Sequence, residues 1–172
     1  MCEPAHQRHS TEKSMTPPLL RPATAADVPA MMALVRELAL YEKAPEEVTN
    51  TEECMLSEGF GPHPLFRAWV AEAADARLIG LLIFYTAYST WKGKIIYLDD
   101  LIISEPYRKS GVGRMMFEQL LRLAKAEDAA QLRWHVLHWN EPALQFYKKF
   151  NAALDPEWTT GKLSRAQIQA LV

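Results

Sequence analysis

Residues 98–113, Leu-Asp-Asp-Leu-Ile-Ile-Ser-Glu-Pro-Tyr-Arg-Lys-Ser-Gly-Val-Gly, constrain this chain more than any other stretch, because an apolar run there ends in a glycine-punctuated turn. Beyond the turn Met116, Leu120 and Leu123 recur at helical spacing, so strand, turn and amphipathic helix follow one another. Arg108, Gly111 and Gly113 make an Arg-x-x-Gly-x-Gly pattern. Residues without a β-carbon let backbone N–H groups approach an anion, and the next helix adds the positive end of its dipole. The residues of this candidate phosphate cradle are Arg108, Lys109, Ser110, Gly111, Val112, Gly113 and Arg114. The bland reading of such a turn is a plain connection between two elements.

Asp99 and Asp100 stand together in the apolar run. In a regular strand neighbouring side chains leave opposite faces, so only one of the two is expected to look into a given cleft. Solvated strand-end carboxylates are the alternative reading.

With 172 residues the chain is one domain's worth, and a domain of that size buries roughly 70% of its unfolded surface without disulfides or a metal. A net charge of −2 with no basic stripe argues against a nucleic-acid partner. The two cysteines, Cys2 and Cys54, suggest neither a disulfide framework nor a zinc site, and no apolar run has the length of a membrane span. The cytoplasm is the expected compartment. Residues 1–18 lack the apolar region of a signal peptide and read as a disordered leader, followed by a single domain over 19–172.

The pattern along the chain predicts a mixed α/β sheet. Leu19–Arg21 reads as a strand, and Thr24 with Asp27 has capping-box spacing before a helix whose apolar stripe is Val28, Met31, Met32, Val35, Leu38 and Ala39, ending near Tyr41. An acidic segment follows and holds a shorter helix ending at Gly59. Residues 66–71, 78–87 and 94–103 read as an antiparallel meander, 113–126 as a helix, 132–137 as a buried strand and 141–150 as a last helix. Strand, helix, strand at that end implies parallel pairing.

Further motifs accompany the glycine turn: Trp139-Asn140-Glu141-Pro142-Ala143, Phe146-Tyr147-Lys148, Arg21-Pro22-Ala23-Thr24, Gly59-Phe60-Gly61-Pro62-His63-Pro64 and Tyr88-Ser89-Thr90-Trp91-Lys92-Gly93-Lys94. Together they resemble the GCN5-related N-acetyltransferase superfamily, within it the diamine (spermidine/spermine) N-acetyltransferase branch with its thialysine-acetylating relatives. The resemblance covers about Leu19 to Trp158 and implies an α/β fold with a mixed, mostly antiparallel twisted sheet flanked by helices. It further implies acetyl-CoA as cosubstrate, no metal, a small-molecule amine as acceptor and a homodimer in which the last strand and the segment after Trp158 exchange contacts.

By the same resemblance Asp99 takes the acceptor's proton, standing where the branch usually has Glu, and Tyr147 protonates the departing thiolate. Leu101, Ile102 and Ile103 hold the pantetheine arm, joined on the cofactor side by Asn140, Ala143, Tyr147 and Lys148. Tyr41, Glu42, Trp91, Arg133, Trp134 and His135 border the acceptor. Asn140 also reads as a helix cap before Glu141-Pro142. Ser89 stands where polyamine-specific members usually carry an acidic residue, which keeps a thialysine or other amino-acid side-chain acetylase open beside a diamine or polyamine acetylase. A peptide N-terminal acetylase and a non-catalytic acetyl-CoA-binding domain remain the other readings. Asn151 stands where the branch has a helix-terminating glycine, and Asn tolerates the left-handed conformation required there.

Overall fold

A computed structural model describes residues 17–171, so the leader expected over 1–18 lies outside the described residues apart from Pro17 and Pro18. The chain divides into two compact units, Met1–His135 and Val136–Val172.

The first unit is built on five strands, β1 (Leu19–Pro22), β2 (Arg67–Glu72), β3 (Leu78–Ser89), β4 (Gly93–Ile103) and β5 (Gln131–Arg133), ordered as numbered. Pairing is antiparallel except between β4 and β5, which run parallel. This is the expected mixed, mostly antiparallel α/β sheet. The expected strand over 132–137 is corrected: β5 is three residues long, only partly buried, and ends at Arg133. The apolar side chains Val136 and Leu137 that suggested a longer strand lie in irregular chain beyond it.

Helix α1 (Val28–Tyr41) begins where the sequence places it, because Asp27 closes a capping box with Thr24 and Pro29 occupies the first turn. Arg21 fixes this entry, its guanidinium bonding both Asp27 oxygens at 2.7 and 2.8 Å and Glu72 at 2.6 Å. That fork keeps the Asp27 carboxyl well below the usual carboxylate range. Met31 and Met32 of α1 are fully buried, and each contributes about 1.5–3 kcal/mol of apolar burial. They pack with Leu81, Ile83 and Ile102 of the sheet and with Met55 of α2 (Glu52–Phe60).

Helix α3 (Val112–Ala126) covers the opposite face. A Cβ on Gly80 would lie 2.7 Å from Met116 Sδ, so the missing side chain is what lets α3 approach β3. Leu82, Phe84, Ile96, Leu98, Met116, Phe117 and Leu120 are the large buried side chains of the sheet and α3 besides those of the α1 face.

The second unit holds α4 (Glu141–Lys148) and α5 (Arg165–Leu171). Asn140 caps α4, its Oδ1 accepting the Ala143 amide at 3.3 Å. Asn151 terminates that segment with φ +55, the left-handed conformation expected of it. Among the described residues β5 is the last strand.

Candidate functional site

The decisive local feature is a bulge in β4. Leu98 pairs with Phe84 and Asp100 with Ile83, so two steps along β4 match one along β3, and Asp99 is the extra residue. The bulge thereby breaks the regular alternation between Leu98 and Asp100. Leu98 stays on the α3 face with Phe84, whereas Asp100 shares the α1 face with Ile83 and Ile102. Tyr97, opposite Tyr85, lies on that face as well.

The two carboxylates feel one another. Burial pushes the half-buried Asp100 up to about 7 from an ordinary 3.8, with further contributions from the negative charges of Asp99 and Glu42. Burial also raises Asp99 itself. Glu42, just past the last turn of α1, is raised by burial too. Three carboxyl groups with disfavoured charge thus gather where the middle of β4 meets the end of α1.

Beside them stands an aromatic wall. Tyr85 and Tyr97 stack with ring centroids 5.0 Å apart, and the Tyr97 hydroxyl meets His135 Nδ1 at 2.5 Å. Burial and the charge of Asp99 raise the pKa of both phenols. Arg133 lies opposite Tyr97 in the β4–β5 register. Sequence reasoning missed Asp100, Tyr85 and Tyr97, because their shared face depends on a bulge that no local pattern announces. The pairing of aromatic Tyr85 with Tyr97 in the meander was the available signal.

Other expected acceptor residues are distributed differently. Trp134 points away, packing edge-to-face against Phe117 of α3 at 5.7 Å. Trp91 sits at the tip of the β3–β4 hairpin, 82% exposed, four residues beyond Ile95 and far along the strand from Asp99. Tyr41 lies beneath the Arg108 guanidinium, 4.6 Å from ring centroid to Cζ. A groove of about 540 Å³ elsewhere in this unit, along α1 between Ala26 and Glu37 and reaching Arg77, holds none of the three carboxylates.

The glycine turn also resolves into distinct parts. Gly111 is the residue before α3, with φ +92, and a Cβ built there would meet nothing within 4 Å. Both facts suit a backbone that must present the first amides of α3, which the helix itself leaves unbonded, to an approaching anion. Lys109, at φ +63, shares the left-handed geometry, and Ser110 Oγ donates to the Tyr107 carbonyl at 2.5 Å. Val112 is buried, Gly113 packs against Ile103, and Arg114 pairs with Glu118 at 2.7 Å. Arg108 turns back instead of toward the cradle: its Nε donates to the Ile103 carbonyl at 3.1 Å and its guanidinium stands 3.7 Å from Glu37. Glu37 also accepts the Glu105 amide at 2.6 Å, so α1 and the turn are held together.

β4 pairs with β5 only over Ile95–Tyr97, and from Leu98 through Leu101, Ile102 and Ile103 it pairs with β3 alone among the described strands. Its other hydrogen-bonding side suits the amide-like groups of a pantetheine arm. In the second unit Tyr147 is the buried side chain of α4, edge-to-face with Phe146 at 5.2 Å, and Lys148 lies in the last turn.

Comparison with known proteins agrees with this architecture. Residues 29–152 match the acetyltransferase (GNAT) family. The chain is 36% identical to the thialysine N-epsilon-acetyltransferase of Bos taurus over 141 residues, covering 78% of this chain and 83% of that protein. It is 30% identical to the spermidine/spermine N(1)-acetyltransferase-like protein 1 of Homo sapiens, over 79% of this chain but 20% of that protein. An integron cassette protein from V. cholerae shares the fold, with a TM-score of 0.73 at 19% identity, covering 91% of this chain and 98% of that one. The glycine turn before α3, the one-sided half of β4 and this extent of likeness lead to one conclusion: the chain belongs to the acetyltransferase (GNAT) family, acyltransferases that use acetyl-CoA as cosubstrate.

Proposed function

We propose that the protein acetylates the side-chain amine of a small cationic amino acid of the thialysine type, with residues 19–172 acting as one catalytic domain. The observation that carries this reading is the Asp99–Asp100 pair beside Glu42 on the Tyr85–Tyr97 face. An alkylamine with a pKa near 10.4 is protonated in all but roughly one molecule in 2,500 at pH 7, so it must lose a proton before it can attack. An ordinary carboxylate is a poor acceptor for that proton. Asp100 at about 7 narrows the mismatch by roughly a thousandfold relative to an unperturbed Asp. The two act together as the base, Asp99 the more exposed to solvent and Asp100 the one whose pKa is raised to about 7.

Bound acetyl-CoA supplies the acetyl group as an activated thioester. The amides at Gly111 to Arg114 would hold its phosphates, and the one-sided half of β4 would align its arm, with Asn140, Ala143 and Lys148 as further contacts. Tyr147 Oη would give its proton to the departing sulfur. Acceptor recognition would rest on Glu42, Asp99 and the aromatic wall, where ring faces attract ammonium groups.

Support for the amino-acid acceptor comes from Ser89 and from the thialysine enzyme of cattle, whose whole length is better covered than that of the human spermidine/spermine-like protein. The diamine or polyamine reading draws on the three carboxylates, which could bind a polycation along its length. A homodimer is part of the proposal, supported by the exposed Leu163, Ile168 and Leu171 of the second unit, 56%, 52% and 69% exposed. A light-scattering mass of one chain at micromolar concentration would refute it.

Thiol release from acetyl-CoA with thialysine, lysine, ornithine, putrescine, spermidine, spermine and short peptides tests the assignment. Turnover should be highest with the amino acids. Release with peptides alone would shift the function to N-terminal acetylation, and no release with any amine would favour a binding domain.

A further inference from the structure

Charge on the acceptor face is not uniform. Glu42, Asp99 and Asp100 occupy one end of it. Arg133 occupies the other, because its register opposite Tyr97 sends its side chain out on the same face as Tyr97 and Asp100. His135, two residues further on, keeps that face through its contact with the Tyr97 hydroxyl. The positive charge of Arg133 is felt at that phenol, whose pKa it lowers against the rise caused by burial. Its hydrogen-bond partner, Gln131 Oε1 at 3.2 Å, is a neutral amide.

The spacing suits a particular kind of acceptor. Across the bulge the residues from Tyr97 to Asp100 advance as two regular steps, about 6.6 Å, and one step to β5 adds about 4.8 Å sideways, so the backbones at Asp100 and Arg133 stand roughly 8 Å apart. An extended amino acid whose side chain ends in an amine separates that amine from its α-carboxylate by about 7 Å, six bonds each advancing about 1.2 Å. A diamine of equal length would bring a second ammonium to the guanidinium. The amino acid brings a carboxylate, which the planar fork of an arginine binds through two parallel hydrogen bonds.

We infer that Arg133 is the specificity-determining residue of the acceptor site, binding the α-carboxylate of an amino acid whose side-chain amine lies at Asp99 and Asp100. This rests on the amine-acetylation reading above. Neither Arg133 nor its carboxylate ligand takes part in proton transfer, so its influence belongs to KM and to the choice between acceptors.

The test compares thialysine with its decarboxylated counterpart, bis(2-aminoethyl) sulfide, on the wild-type protein and on Arg133→Gln and Arg133→Lys, each checked for an unaltered thermal midpoint. The wild type should prefer thialysine. In Arg133→Gln the ratio of the two kcat/KM values should fall at least tenfold through the KM of thialysine, with Arg133→Lys in between. Equal losses on both acceptors, or a preference that survives Arg133→Gln, would overturn the inference and leave the function standing. A wild-type protein that turns over neither compound would overturn both.

Discussion

Replacing Asp100 by Asn should make the protein more stable and less active at once, and the gain in stability should grow with pH. The sign follows from linkage. Asp100 ionises near 7 in the folded chain and near 3.8 when unfolded, so between those values the native state binds more protons and its stability falls as pH rises. The cost is absent below pH 4 and complete above pH 7. A displacement from 3.8 to about 7 corresponds to on the order of 4 kcal/mol at 1.36 kcal/mol per tenfold, a ceiling that partial exposure to water brings down to about 1–3 kcal/mol. Urea unfolding of wild type and variant at pH 4.5, 6 and 8 measures it. The variant's advantage should appear at pH 8 and shrink toward pH 4.5. Asp99→Asn should move the midpoint of the wild-type dependence to lower pH, because one of the two charges opposing Asp100 ionisation is gone. In the assay both substitutions should lower kcat/KM by about 10²- to 10⁴-fold at neutral pH, with smaller losses at higher pH where free amine accumulates. An advantage of equal size at pH 4.5 and pH 8 would refute the reasoning, since it would mean that Asp100 carries no displaced proton.

Gly111→Val should weaken acetyl-CoA binding in calorimetry, because φ +92 strains any β-branched residue and its side chain would project into the open space beside the cradle; unchanged affinity would remove the cradle assignment. Tyr147→Phe should slow turnover at every accessible pH while acetyl-CoA still binds, so a variant with wild-type kcat would discharge Tyr147 from its role as acid. Asp27→Asn should cost about 1–3 kcal/mol at pH 7 and less near pH 2: the Arg21 fork depresses the Asp27 carboxyl, so its stabilisation is full above pH 4 and diminishes below it, where the unfolded chain takes up a proton that the folded carboxylate still resists. Denaturant midpoints at the two pH values check it.

What the sequence disclosed was local. The capping box at Thr24 and Asp27, the cap at Asn140, the left-handed Asn151 and the glycine turn before α3 are each decided by a few neighbouring residues, and each appears where the pattern puts it. The site was less legible because it depends on register. A bulge shifts side chains by one position relative to the partner strand, and nothing in Leu98-Asp99-Asp100-Leu101 signals it. The same limit hid Arg108, whose pattern suggests a phosphate ligand while its side chain packs over Tyr41. It hid the division of Trp134 and His135 between faces as well, for β5 is too short to show a period.

The bulge also determines which shortening of β4 the fold would accept. Removing a residue further from the bulge, such as Ile96 or Ile102, would shift the side chains between it and the bulge by one position and turn them toward the wrong layer. Removing Asp99 would instead join Leu98 to Asp100 across the adjacent partners Phe84 and Ile83, leaving every remaining pair and every face as it is. A chain lacking that one residue should therefore fold as a more regular sheet that no longer carries the carboxylate the bulge delivers.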